Sequence, residues 1–249
     1  MFLKEMAITP ASTVADIVSG NYRTADIFGK YGITYCCGAR WPLSTVCRMK
    51  GIEEDLLIRE LTNISRVIHI SPQLPFHKWN IDFLIDYIVN VHHAFLKENL
   101  PPLKLVLTHF ADEHVKKYPY LTELLTQFND LQNKTTDHLR HEEEVIFPYI
   151  KQVFHANKDK DSLAGLLVKT LRKPVKKVLE QEEEIFVDKL HKFRALTSNY
   201  TPPENACTSH RVAMLKLKEL DNDLSQHIYL EKDILFPKIL NLETELLDR

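Results

Sequence analysis

A histidine and a glutamate four residues apart, followed by Phe-Pro, occur in "HLRHEEEVIFP" (His138–Pro148) and again in "HIYLEKDILFP" (His227–Pro237). Both segments read His-x3-Glu-x4-Phe-Pro. On a helix, positions i and i+4 share one face with Cβ atoms about 5–6 Å apart. Each copy therefore sets one imidazole beside one carboxylate, and two such helices can grip metal between them. Two amphipathic helices with ordinary polar residues are the plain alternative. The repeat argues against it.

Further donors follow from the same duplication. His93 lies in the middle of an apolar stripe formed by Ile85, Ile88, Val89, Leu96 and Leu100. Glu183 holds the matching position among Val175, Val178, Leu179, Phe186 and Leu190. His93 precedes His138 by 45 residues, and Glu183 precedes His227 by 44. Glu182 fits a comparable stripe (Val175, Val178, Ile185, Phe186), and the run "EQEEE" also reads as a solvated face. The spacing thus predicts that His93, His138, Glu142, Glu183, His227 and Glu231 converge.

Buried ionised carboxylates are costly unless paired or bound to metal. Nitrogen and carboxylate oxygen without thiolate suit iron or manganese, with zinc less natural. Six donors are too many for one ion with a free position. They suit two ions bridged by carboxylates, for which Glu142 and Glu231 are placed. Ions about 3.5–4 Å apart could share a small ligand or exchange electrons with it. His92, His109, His114 and His141 are expected at the surface or in support of the centre, His141 close enough to tune it.

A second candidate is "YCCG", Tyr35–Gly38. Adjacent cysteines bridge each other only under strain, so Cys36 and Cys37 are expected as thiols that handle metal, nitric oxide or sulfur. Burial as two small apolar side chains is the alternative. Cys47 and Cys207 are expected to be plain core or loop residues.

Helices must position these groups. Five of the six glycines fall within the first 51 residues, leaving the rest poor in helix breakers, and bounded period-2 alternation is not evident. The predicted fold class is all-α. Residues 1–70 read as a small domain of short helices, with 71–79 ("SPQLPFHKW" and its prolines) as linker. Residues 80–249 carry four long helical segments near Ile81–Lys117 (kinked at Pro101-Pro102), Tyr120–Phe154, Leu171–Leu196 and Pro203–Leu246. Segments of this length and connection predict an antiparallel four-helix bundle.

A formal net charge of −2 provides no electrostatic footprint for nucleic acid or an anionic membrane. The start, "MFLKEMAITP", has no apolar core or cleavage site of a signal peptide, and no run of 18 apolar residues predicts a membrane span. Four unevenly placed cysteines suit a reducing cytoplasm.

With these motifs in hand, the sequence resembles the RIC family (repair of iron centres), di-iron proteins of bacterial iron–sulfur cluster repair. "TADIFGKYGITYCCGA" resembles its N-terminal motif and "VHHAFLKENLP" its first-ligand helix, with His93 in the ligand position. The two His-x3-Glu segments and the turn "TPPENACT" complete a match over nearly the whole chain. The family's third helix normally supplies a histidine within Glu-x-Glu-His. Here "EQEE" places Glu183 there, and the added negative charge should favour the ferric state.

The resemblance implies a haemerythrin-like bundle with two iron ions. It also implies repair of iron–sulfur proteins damaged by nitrosative or oxidative stress, by release of iron or handling of nitric oxide. Cys36 and Cys37 would be the active thiols, and nitric oxide or oxygen the small ligand. A di-iron nitric oxide reductase is the enzymatic alternative, separable by nitrous oxide as product. A haemerythrin-like oxygen or nitric oxide sensor is the third reading, against which the thiol-bearing domain counts. The oligomeric state is left open, a homodimer included.

Overall fold

The computed structural model describes residues 7–35, 40–65, 74–171 and 175–248, the side chains of 171 and 175–183 excepted. It is all-α: helices account for the regular structure, and no strand occurs among the described residues. None of these helices is long and apolar enough to cross a membrane.

Four short helices come first: α1 (Val14–Gly20), α2 (Thr24–Lys30), α3 (Leu43–Lys50) and α4 (Glu54–Ile64). Thr13 caps α1, its hydroxyl oxygen accepting from the Asp16 amide at 3.1 Å. Gly51 ends α3 at φ 66°, a left-handed conformation that an L side chain would strain. Ile17, Phe28, Leu43, Leu57 and Leu61 close the small core, which also takes in Val212 from the bundle. Lys216 Nζ lies 2.6 Å from Asp26 Oδ2, and Arg23 Nε 2.9 Å from Glu219 Oε1, tying this unit to the bundle.

A 3-10 turn (Phe76–Lys78) leads into the bundle. Its first helix comprises α5 (Ile81–Tyr87), a π-helical turn (Ile88–His93) and α6 (Ala94–His114). The second comprises α7 (Tyr120–His141), a π turn (Glu142–Ile146) and α8 (Phe147–Lys158). After α9 (Ala164–Leu171) comes α10 (Val175–Leu196). The last comprises α11 (Thr208–Tyr229), a π turn (Leu230–Leu235) and α12 (Phe236–Leu247). α6 packs against α7 and α11, and α10 against the same two helices.

The sequence expectation differs from this in two places. A separate helix, α9, precedes α10 in a stretch for which the sequence predicted no helix, the predicted segment beginning only at Leu171. Gly165 lets α9 lie against α12, since a Cβ there would come within 2.7 Å of the Leu246 carbonyl oxygen. In the first long helix, α6 continues through Pro101 and Pro102, and the irregularity lies upstream, in the π turn at Ile88–His93.

Two of the three π turns have a local cause. Pro148 and Pro237 lack the N–H that would bond back one turn, and their rings crowd the carbonyl there. Widening the preceding turn relieves that crowding.

The bundle interior consists of two apolar cores. One gathers Leu96, Leu107, Phe128, Leu139, Phe186, Phe193, Leu217 and Ile228 with their neighbours. The other gathers Ile81, Ile88, Ile146, Ile150, Leu230, Leu235 and Ile239. Along the three helices that carry π turns, one core hands over to the other at a buried polar layer. That layer contains His92, His93, His138, Glu142, His227 and Glu231.

Candidate metal centre

Each of the three π turns carries a member of this layer: His93 ends the first, Glu142 opens the second, and Glu231 lies in the third. A π turn widens the helix and re-aims side chains, which is why such turns recur at functional sites.

His93 is fully buried, with Nδ1 2.7 Å from Glu143 Oε1. A carboxylate can only accept, so the proton sits on Nδ1 and Nε2 is left with a lone pair. That Nε2 faces His227 Nε2 at 3.2 Å and Glu142 Oε2 at 3.4 Å. His138 Nε2 is 3.2 Å from the same Glu142 oxygen, and His227 Nε2 is 3.9 Å from it. His227 Nε2 also lies 3.0 Å from Glu231 Oε1, one helical turn away. One donor atom from each of His93, Glu142, His227 and Glu231 falls within 4.8 Å of all the others.

The electrostatics fit a cation at this point. Burial, with the charges of His227, His138, Lys97 and His92, pushes the His93 pKa down to about 2, so its ring stays neutral. Burial pulls the Glu231 carboxyl upward, but the neighbouring His227, 3.0 Å away, and His138 outweigh it, and the group lies below its ordinary range. Imidazole nitrogens and buried carboxylate oxygens converging at one point are a hard-to-borderline donor set. The arrangement is able to hold a metal ion.

Supporting residues surround it. Glu143 holds His93 and is itself paired with Lys97 Nζ at 2.7 Å. His92, expected at the surface or in support, is buried; its Nδ1 lies 3.0 Å from Asp223 Oδ1. Its ring stacks on His227 with centroids 6.2 Å apart and planes 15° apart. Glu143, Lys97 and Asp223 were not singled out from sequence. The available signals were that Glu143 follows Glu142 and that Asp223 precedes His227 by one turn.

Among the sequence-predicted residues, His93, His138, Glu142, His227 and Glu231 come together. Cys36 and Cys37 lie outside the described residues, as does the side chain of Glu183, although its backbone belongs to α10. His109 is exposed, and His141 is half-buried beside an opening of about 350 Å³. That opening is lined by Lys134, Asp137, His138, His141, Ile185 and Phe186, and reaches the layer at His138.

Residues 84–239 match the "Hemerythrin HHE cation binding domain". The chain belongs to this haemerythrin family. Residues 10–65, ahead of the haemerythrin-family bundle, match a domain of unknown function, DUF542. The chain is 29% identical over 233 residues to iron-sulfur cluster repair protein ScdA of Staphylococcus epidermidis, covering 93% of this chain and 99% of that protein. It is 30% identical over 223 residues to iron-sulfur cluster repair protein YtfE of Escherichia coli, covering 88% and 91%. The motif-based resemblance to iron-centre repair proteins is borne out by these relatives.

Proposed function

We propose that this haemerythrin-family protein repairs iron–sulfur clusters damaged by nitrosative or oxidative stress, holding two iron ions in the bundle. The observation that carries it is the buried convergence of His93, Glu142, His227 and Glu231 within 4.8 Å, in a chain whose relatives are named for that repair. His93, His138, Glu142, Glu183, His227 and Glu231 are the proposed ligands, with Glu142 and Glu231 as bridges.

Bound iron would supply redox chemistry toward nitric oxide or oxygen, and iron for a damaged cluster. The chain's own residues prepare the place. Glu143 fixes the His93 ring with Nε2 inward, the two apolar cores exclude water above and below, and the opening at His138 gives a small ligand or departing ion a path. Residues 1–70 form the proposed client-facing unit, joined by the 71–79 linker. A cleft of about 480 Å³ between this unit and α6 runs from Pro102 and Leu105 to Tyr35, the neighbour of Cys36. Cys36 and Cys37 would contact the client or accept nitrosyl groups, in a cytoplasmic setting that keeps thiols reduced.

The test is anaerobic reactivation of a nitric-oxide-damaged iron–sulfur enzyme by the iron-loaded protein. Reactivation is expected, and Cys36→Ser with Cys37→Ser should abolish it while leaving the iron spectrum unchanged. Nitrous oxide produced catalytically without reactivation would favour the reductase reading instead.

A further inference from the structure

The opposite end of the bundle holds a second polar cluster, outside the metal layer. Cys207 is the N-cap of α11, yet its sulfur makes no capping bond to the helix. Its Sγ lies instead 3.4 Å from His114 Nε2 on α6. His114 Nδ1 lies 3.1 Å from the Phe110 carbonyl oxygen, which can only accept. The ring proton therefore sits on Nδ1, and Nε2 offers its lone pair to the thiol S–H. Glu113 Oε2, 3.8 Å from Nδ1, would stabilise the ring once it is doubly protonated.

The loop carrying the thiol is held in place. Arg211 bonds back to the Ala206 carbonyl at 3.2 Å and to the Glu204 carbonyl at 2.6 Å. Cys207 is partly exposed, unlike Cys47, which is buried in the small core and whose thiol burial pushes up. Arg211 lies against the loop that carries Cys207, and its charge and that of Lys117, which lies over Tyr118, reach the neighbouring His210. A thiol beside an imidazole, at the positive end of a helix of 22 residues, meets the conditions that activate cysteine.

We propose that Cys207 and His114 form a reactive thiol site that takes a low-molecular-weight disulfide, preferentially an anionic one, as substrate. His114 Nε2 accepts the thiol proton, and Cys207 Sγ attacks one sulfur of the disulfide. A new S–S bond forms on Cys207 as the substrate S–S bond breaks. The leaving thiolate takes the electron pair and then the proton from His114, so Cys207 is oxidised to a mixed disulfide and the departing half is reduced to a thiol. The exchange needs no further oxidant.

The test is peptide-resolved mass spectrometry of the full-length, metal-loaded protein during incubation with oxidised glutathione. Cys207 should gain the glutathionyl mass at least ~10-fold faster than Cys47 in the same sample, a comparison that needs no variant. His114→Gln should slow Cys207 about 10-fold at neutral pH and restore the pH profile of an ordinary thiol, whose pKa is about 8.5. Glu113, Lys117, Arg211, Tyr118 and His210, which feels the charge of His114, are among the groups around the pair and stay unchanged in that variant. A Cys207 rate no greater than that of Cys47 would overturn the proposal, as would a Cys207 rate and pH profile indifferent to His114→Gln.

Discussion

Two groups of histidine occupy one bundle and meet different partners. His93, His138 and His227 meet two buried carboxylates, Glu142 and Glu231. His114 and His210 meet a thiol and a phenol: His114 Nε2 faces Cys207, and His210 Nε2 lies 3.2 Å from the Tyr120 hydroxyl. In the first group two imidazole nitrogens face each other at 3.2 Å, a contact that a cation between them would resolve. In the second, both His114 nitrogens already have protein partners. Histidine content alone therefore does not make a metal centre. Buried carboxylates that converge with buried histidines from neighbouring helices can.

The largest effect should follow from breaking the first group. His138→Ala or His227→Ala should each cost the protein at least one metal ion, because each anchors a His-Glu pair that the other half cannot replace. His210→Gln should cost none. Elemental analysis showing full occupancy in both layer variants would erase the distinction between the groups.

A smaller effect is expected from the support. Glu143→Gln keeps the size of the side chain but removes the charge that holds His93 Nδ1–H and Lys97. Metal affinity should fall about 10–100-fold, measured by chelator competition. Unchanged affinity would mean that His93 needs no orienting partner.

Glu183 sharpens the comparison through redox behaviour rather than occupancy. Glu183→His exchanges an anionic oxygen for a neutral nitrogen, so a redox titration should give a raised reduction potential with metal retained. Glu182→Ala should change little. The reverse pattern, with Glu182→Ala losing metal, would move the ligand by one residue.

The smallest effect belongs to the second group and appears only in acid. Burial, with the charges of His114, Lys117 and Arg211, pushes the His210 pKa down to about 4 from 6.5. Between these values the unfolded chain binds the proton and the folded chain does not, so stability is lost as pH falls from about 6.5 to 4. His210→Gln retains a partner for Tyr120 and should flatten this part of the stability profile, measured by urea unfolding. An identical acid slope would assign it to other groups.

Much of the layer was legible because helical spacing is a local property. The i, i+4 pairs and the apolar stripe around His93 put five of the expected residues on inward faces, and the structure buries these five together. The π turns were not legible. Regular helical spacing sets neighbours about 100° apart, so it turns only one of His92 and His93 inward. In the structure both are buried, at the end of the widened turn. Likewise α9 is hidden in an apolar run whose end is marked only by Pro174. Cys207 looked inert because its partner, His114, is 93 residues distant and no periodicity connects them.

The most direct test of the central claim is the iron content of freshly purified protein per chain, measured together with its ultraviolet–visible spectrum. Two iron ions per chain, with the charge-transfer bands of a bridged pair lost in His227→Ala, is the predicted result. A wild-type chain that binds no iron when reconstituted, or that saturates at one ion, would contradict a dinuclear centre built from His93, His138, Glu142, Glu183, His227 and Glu231.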